Sequence, residues 1–169
     1  AINGRMVSKH ELAREAIRIE QDVLREHVGC QDQVTTAHGG FNRVDFHRNG
    51  NIDVNPIILP RERLERLQDS MLLVFTGISR FASDVAGKQI ENLKSRTNEL
   101  TAMHQMVDEA TSILASAGDP VEPFGRLLNE SWQLKRKLAA GVTTDRVDEI
   151  YQSAIAAGAY GGKLLGAGG

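Results

Sequence analysis

Between Leu12 and Leu24 apolar side chains return at a helical period, so that Leu12, Ala13, Ala16, Ile17, Ile19, Val23 and Leu24 share one broad arc. Glu11, Arg14, Glu15, Arg18, Gln21, Asp22 and Arg25 fall opposite. Ser8-Lys9-His10-Glu11 has the form of a capping box, which predicts a helix from Lys9 to about Glu26, ended by Gly29. Gln31 to Thr36 then reads as a short strand or extended loop, and Gly39-Gly40 as a turn. Phe41 to Asn55 reads as a hairpin. A three-residue loop of Arg48-Asn49-Gly50 pairs Phe46 with Ile52 and Val44 with Val54 on one face, whereas a two-residue loop sets Phe46 against Asp53.

Pro56 and Pro60 break the chain before a short helix over Arg61 to Leu67 with Leu64 and Leu67 inward. Met71 to Phe75 has the length and unbroken apolar character of a central strand covered on both faces. Helical periodicity then runs from Ser79 to Ala117, where Gly118-Asp119-Pro120 stops it. Two more helices are predicted, Phe124 to Leu138 and one capped by Thr144 that reaches Ala156 and ends at Gly158. Helices with a hairpin and a buried strand make an α+β chain.

Glu20 breaks the pattern, because it lies near the middle of the apolar arc. A buried carboxylate needs a cation, an Arg or Lys, or a site that holds it. A metal beside a second carboxylate meets that need, and Asp32 in the following loop is the candidate catalytic base. The plainer readings are a Glu20 paired with a neighbouring Arg and an Asp32 that caps backbone amides.

The run Ile19-Glu20-Gln21, then Val28-Gly29-Cys30-Gln31-Asp32-Gln33, then His38-Gly39-Gly40-Phe41-Asn42, resembles the middle of a small-molecule kinase of the GHMP superfamily, most like its heptose 7-phosphate kinase branch. Ala159-Tyr160-Gly161-Gly162-Lys163 to Gly169 resembles the glycine-rich C-terminal element of the same superfamily. The resemblance implies an ATP-dependent sugar kinase. It gives Asp32 the catalytic role, Glu20 the magnesium of the nucleotide, Gly29, Gln31, Gln33, Gly39 and Gly40 the substrate, and Gly166, Ala167, Gly168 and Gly169 the nucleotide. It also implies the end of a ribosomal-protein-like domain over 1–68 and much of a ferredoxin-like domain over 69–169. The family's main phosphate loop is expected upstream of Ala1, and both chain ends read as internal sequence, so a longer parent is expected. On the residues alone, Thr76, Gly77 and Arg80 add a candidate anion site, where a strand end meets a helix start. The plainer reading there is an ordinary capped helix with a solvated Arg.

Composition removes other classes. With 20 basic and 22 acidic residues interspersed over 169, there is no basic stripe for nucleic acid and no polybasic anchor for a membrane. A single cysteine, Cys30, allows no internal disulfide and fits a reducing cytoplasm; it reads as a small buried residue before a nucleophile. The expected partners are a sugar or sugar phosphate and ATP, with a homo-oligomer allowed. The competing classes are a fucokinase- or galactokinase-like enzyme and a ferredoxin-like binding module without chemistry.

Overall fold

The structure is a computed structural model describing residues 4, 6–78, 95–138 and 141–165. Its contacts divide the chain into two compact units, Ala1–Ile58 and Leu59–Gly169.

In the first unit, helix α1 (Lys9–Arg18) starts at the predicted capping box: Ser8 Oγ accepts from the Glu11 N–H at 3.1 Å while the Glu11 carboxylate accepts from the Ser8 N–H at 2.8 Å. The helix does not run on regularly to Glu26. It widens into a π turn over Ile19–Val23, where the Leu24 N–H reaches back to the Ile19 carbonyl at 2.9 Å. Arg25, in the left-handed region at φ 57°, ends the turn.

The chain then forms helix α2 (Gln31–His38), which corrects the strand or loop expected over Gln31 to Thr36. Val34, a strand-former by propensity, is buried against α1, and tertiary packing overrides the weak local preference. Because α2 is the helix that packs on α1, the apolar arc of α1 is covered only along Ala13, Ala16 and Ile17, leaving Leu12, Ile19, Val23 and Leu24 exposed. Strands β1 (Asn42–Phe46) and β2 (Ile52–Pro56) follow as an antiparallel pair with Phe46 opposite Ile52 and Val44 opposite Val54, the register expected from the sequence. Gly50 at φ 83° permits the tight loop, closed by His47 N–H to Asn51 carbonyl at 2.9 Å.

The second unit holds α3 (Arg61–Asp69), α4 (Thr97–Ala115), α5 (Val121–Leu138) and α6 (Asp145–Ala156). Leu67 points inward from α3 as expected, and Thr144 caps α6 by accepting from the Val147 N–H at 3.3 Å. Trp132, Val142 and Val147 form a core, with Tyr151 and Leu164 packed against it. Asp148 sits between Arg136 at 3.0 Å and the Thr143 hydroxyl at 2.9 Å, so the loop before α6 is tied to α5. Arg63 of α3 donates to the Ile113 and Leu114 carbonyls at 2.8 Å, serving the end of α4 as a cap supplied by another helix.

Met71 to Phe75 is not a strand: the run has no regular secondary structure and is exposed, with Leu72 at 93 % and Phe75 at 81 %. A strand needs a neighbour about 4.8 Å away to satisfy its N–H and C=O groups. Among the described residues the only sheet is β1–β2, in the other unit. The first part of the helix expected from Ser79 lies outside the described residues.

Candidate functional site

The corner between the π turn and α2 brings two of the predicted residues together. Gln33, 9 % exposed, donates from Nε2 to Glu20 Oε2 at 2.5 Å. Glu20 is half-buried, and no Arg or Lys pairs with it among the described residues; its partner is an amide. Its second carboxylate oxygen has no hydrogen-bond partner among those residues, and the buried Gln33 Oε1 also has none. The π turn changes the phase of the helix at this residue, a distortion often found at functional sites.

Asp32 follows in the first turn of α2 and is exposed, with no side-chain hydrogen bond among the described residues. It therefore does not cap backbone amides as a plain turn residue does. The helix N-terminus favours a negative charge there. Beside it, Gln21 Nε2 donates to the Val28 carbonyl at 2.8 Å and to Cys30 Sγ at 3.5 Å, holding the connection between the helices. Cys30 is half-buried.

Gly39 and Gly40 adopt φ 64° and 77°, values that strain any side chain, and Asn42 Nδ2 donates to the Gly39 carbonyl at 2.7 Å. They make the turn into β1. Gly29 and Gln31 are exposed, and a Cβ on Gly29 would meet open space. In the second unit Thr76 Oγ1 accepts from the Ile78 N–H at 3.3 Å and Gly77 has φ 77°. The strand expected to lead into them is absent, so no strand end aims backbone amides at this turn. Arg80 and Gly166, Ala167, Gly168 and Gly169 lie outside the described residues.

Sequence reasoning missed how the segment 159–165 is seated. Gly161 passes so close to α5 that a Cβ there would stand 2.7 Å from Asn129 Cβ and against the Gly125 carbonyl, while a Cβ on Gly125 would stand 2.7 Å from Tyr160 Cβ. Lys135 Nζ donates to the Leu164 carbonyl at 3.2 Å. A groove of about 520 Å³ beside this crossing is lined by Arg126, Asn129, Gln133, Tyr151 and Tyr160 among others, with the Tyr151 hydroxyl donating to Asn129 Oδ1. Lys163 has an open surface, yet the protein around it withdraws enough water to pull its pKa below the ordinary lysine value. The only sequence signal for these contacts is the glycine spacing.

Residues 119–169 match the family model described as GHMP kinases C terminal. Over those residues the chain is similar to a GHMP kinase C-terminal domain. Over 163 residues, 96 % of this chain, it is 32 % identical to the D-glycero-alpha-D-manno-heptose 7-phosphate kinase of Campylobacter jejuni, covering 48 % of that protein. It is 29 % identical over 171 residues to the mevalonate kinase of Pyrococcus abyssi, covering 96 % of this chain and 46 % of that one. A solved D-glycero-D-manno-heptose 1-phosphate kinase from Bacteriodes thetaiotaomicron superposes with a TM-score of 0.66 at 29 % identity, covering 99 % of this chain and 45 % of that one. The chain thus spans about half the length of the relatives it matches. The matched residues include α5, α6 and the segment seated by Gly125 and Gly161, whereas Glu20, Asp32 and Gln33 lie before them. The α+β architecture agrees with the GHMP kinase structure.

Proposed function

We propose that the protein carrying this chain is an ATP-dependent sugar kinase that transfers the γ-phosphoryl group to the anomeric hydroxyl of D-glycero-D-manno-heptose 7-phosphate in the cytoplasm. The observation that carries this reading is the similarity to the Campylobacter jejuni heptose 7-phosphate kinase over 96 % of the chain. Asp32 orients or accepts the proton of the acceptor hydroxyl from about 3 Å. Its exposure and its lack of a side-chain hydrogen bond among the described residues support that role.

Among the described residues no cluster of three or more His, Cys, Asp or Glu side chains forms a cation cage. Magnesium, which keeps several waters, needs only one or two carboxylates, and the oxygens of Glu20 and Gln33 that have no partner among the described residues are hard donors of the type it takes. Glu20 would hold it there. Bound magnesium would neutralise charge on the transferring phosphate. Gly29, Gln31, Gly39, Gly40, Thr76, Gly77 and Arg80 are assigned to the acceptor, and Gly166 to Gly169 to the nucleotide. The division into an N-terminal domain ending near 68 and a C-terminal one from 69 belongs to the same proposal.

A fucokinase-like acceptor is the second reading, favoured by 26 % identity over 96 % of this chain to the bifunctional fucokinase/GDP-fucose pyrophosphorylase of Arabidopsis thaliana. An acceptor panel of heptose 7-phosphate, fucose, galactose and mevalonate, assayed on the full-length protein, separates the readings by turnover. The mechanism is tested by Asp32→Asn. Turnover should fall by roughly two to four orders of magnitude, with acceptor binding changed less. A folded variant with near wild-type turnover removes Asp32 from catalysis.

A further inference from the structure

Gln33 is buried, and its amide has a fixed sense. A carboxylate oxygen accepts hydrogen bonds, so the group facing Glu20 Oε2 at 2.5 Å must be Nε2, and Oε1 must face away. That Oε1 is itself buried and accepts from no donor among the described residues. Buried amide oxygens are normally satisfied, so this one calls for a donor that the chain does not supply. Glu20 offers a second open oxygen at the same corner and has no cationic partner there. Two acceptor oxygens, joined through one short hydrogen bond, thus await a donor that also brings positive charge. Water in the hydration shell of a divalent cation has both properties, since the ion polarises its O–H bonds outward.

We propose that Gln33 is a positioning residue that holds the Glu20 carboxylate toward a divalent cation and accepts, through Oε1, a hydrogen bond from a water bound to that cation. This rests on the reading of Glu20 given above, and it replaces substrate contact as the role of Gln33. Partners of this type fix the direction of a ligating carboxylate, and losing one weakens metal binding by about 10–100-fold.

The test is Mn²⁺ binding, followed by electron paramagnetic resonance with saturating ADP, on the full-length protein and its Gln33→Met, Gln33→Asn, Glu20→Gln and Thr36→Ala variants. Methionine keeps the length without hydrogen bonds, and asparagine keeps the amide but is a methylene too short. Thr36, exposed on the same helix, is the control. Gln33→Met should raise the Mn²⁺ dissociation constant by about 10–100-fold, with Thr36→Ala unchanged. Should Gln33→Met lack the wild-type circular dichroism spectrum, the same rise is required of Gln33→Asn. Wild-type Mn²⁺ affinity in a folded Gln33 variant, together with weakened binding in Glu20→Gln, overturns the inference alone and leaves an ordinary buried water on Oε1. Unchanged affinity in Glu20→Gln overturns the reading of Glu20 and this inference with it.

Discussion

Replacing Arg63 with alanine removes the cap from the end of α4. The guanidinium donates to the Ile113 and Leu114 carbonyls at 2.8 Å and to the Gly118 carbonyl at 2.5 Å, with Ser116 Oγ farther off at 3.4 Å. The first two bonds are part-buried, and the last two are exposed, where water replaces them. Hydrogen bonds to a charged group contribute about 1.5–3 kcal/mol each when shielded, and the exposed side of this site argues for the lower end. Two such bonds, with a helix-dipole contribution of a few tenths, give a loss of about 3 kcal/mol. In a chain of this size that is a fall in Tm of roughly 6–12 °C. Arg63→Lys should recover about half, because an ammonium lacks the planar fork that reaches two carbonyls at once. Arg61→Ala is the control. Arg61 pairs with Glu65 at 2.7 Å but is 89 % exposed, so its loss should cost under about 0.5 kcal/mol. Thermal melts and urea titrations of the three variants decide the matter: Arg63→Ala matching Arg61→Ala would falsify the capping argument.

Other expectations concern single contacts. Gly161→Ala forces a methyl group against the Gly125 carbonyl and should destabilise by about 2–3 kcal/mol, whereas Gly162→Ala, facing open space, should stay within about 1 kcal/mol; denaturant midpoints compare them. Arg25→Gly relieves a left-handed residue at φ 57° and should raise stability by about 0.5–1 kcal/mol in the same measurement. The Arg43 guanidinium hydrogen-bonded to Asp45 holds that carboxyl below the ordinary aspartate range. A lowered folded pKa gives stability that is present above the unfolded value, near 4, and is lost as pH falls through the folded value. Asp45→Asn should therefore lower Tm at pH 7, and the gap should close at acid pH; a gap that persists at pH 2 denies the ion pair its role.

Where a feature depends on residues close in the chain, the sequence by itself determined it. The capping box of Ser8 and Glu11, the hairpin register set by Arg48-Asn49-Gly50, and the Thr144 cap of α6 each close a local hydrogen bond, and no distant partner can improve on it. Glu20 was also legible as an acid in the wrong place, because helical phase needs no tertiary information. What holds it was not legible. Gln33 reaches Glu20 only because Gln31 to Thr36 winds as a helix and the preceding turn is a π turn, and both depend on α1 and α2 packing together. Arg63 meets the end of α4, and Gly161 meets Gly125, across long stretches of chain, where composition carries no record of the partner. Met71 to Phe75 is the converse case: its apolar run states a demand for cover, but a strand exists only when another supplies the opposite half of each backbone hydrogen bond.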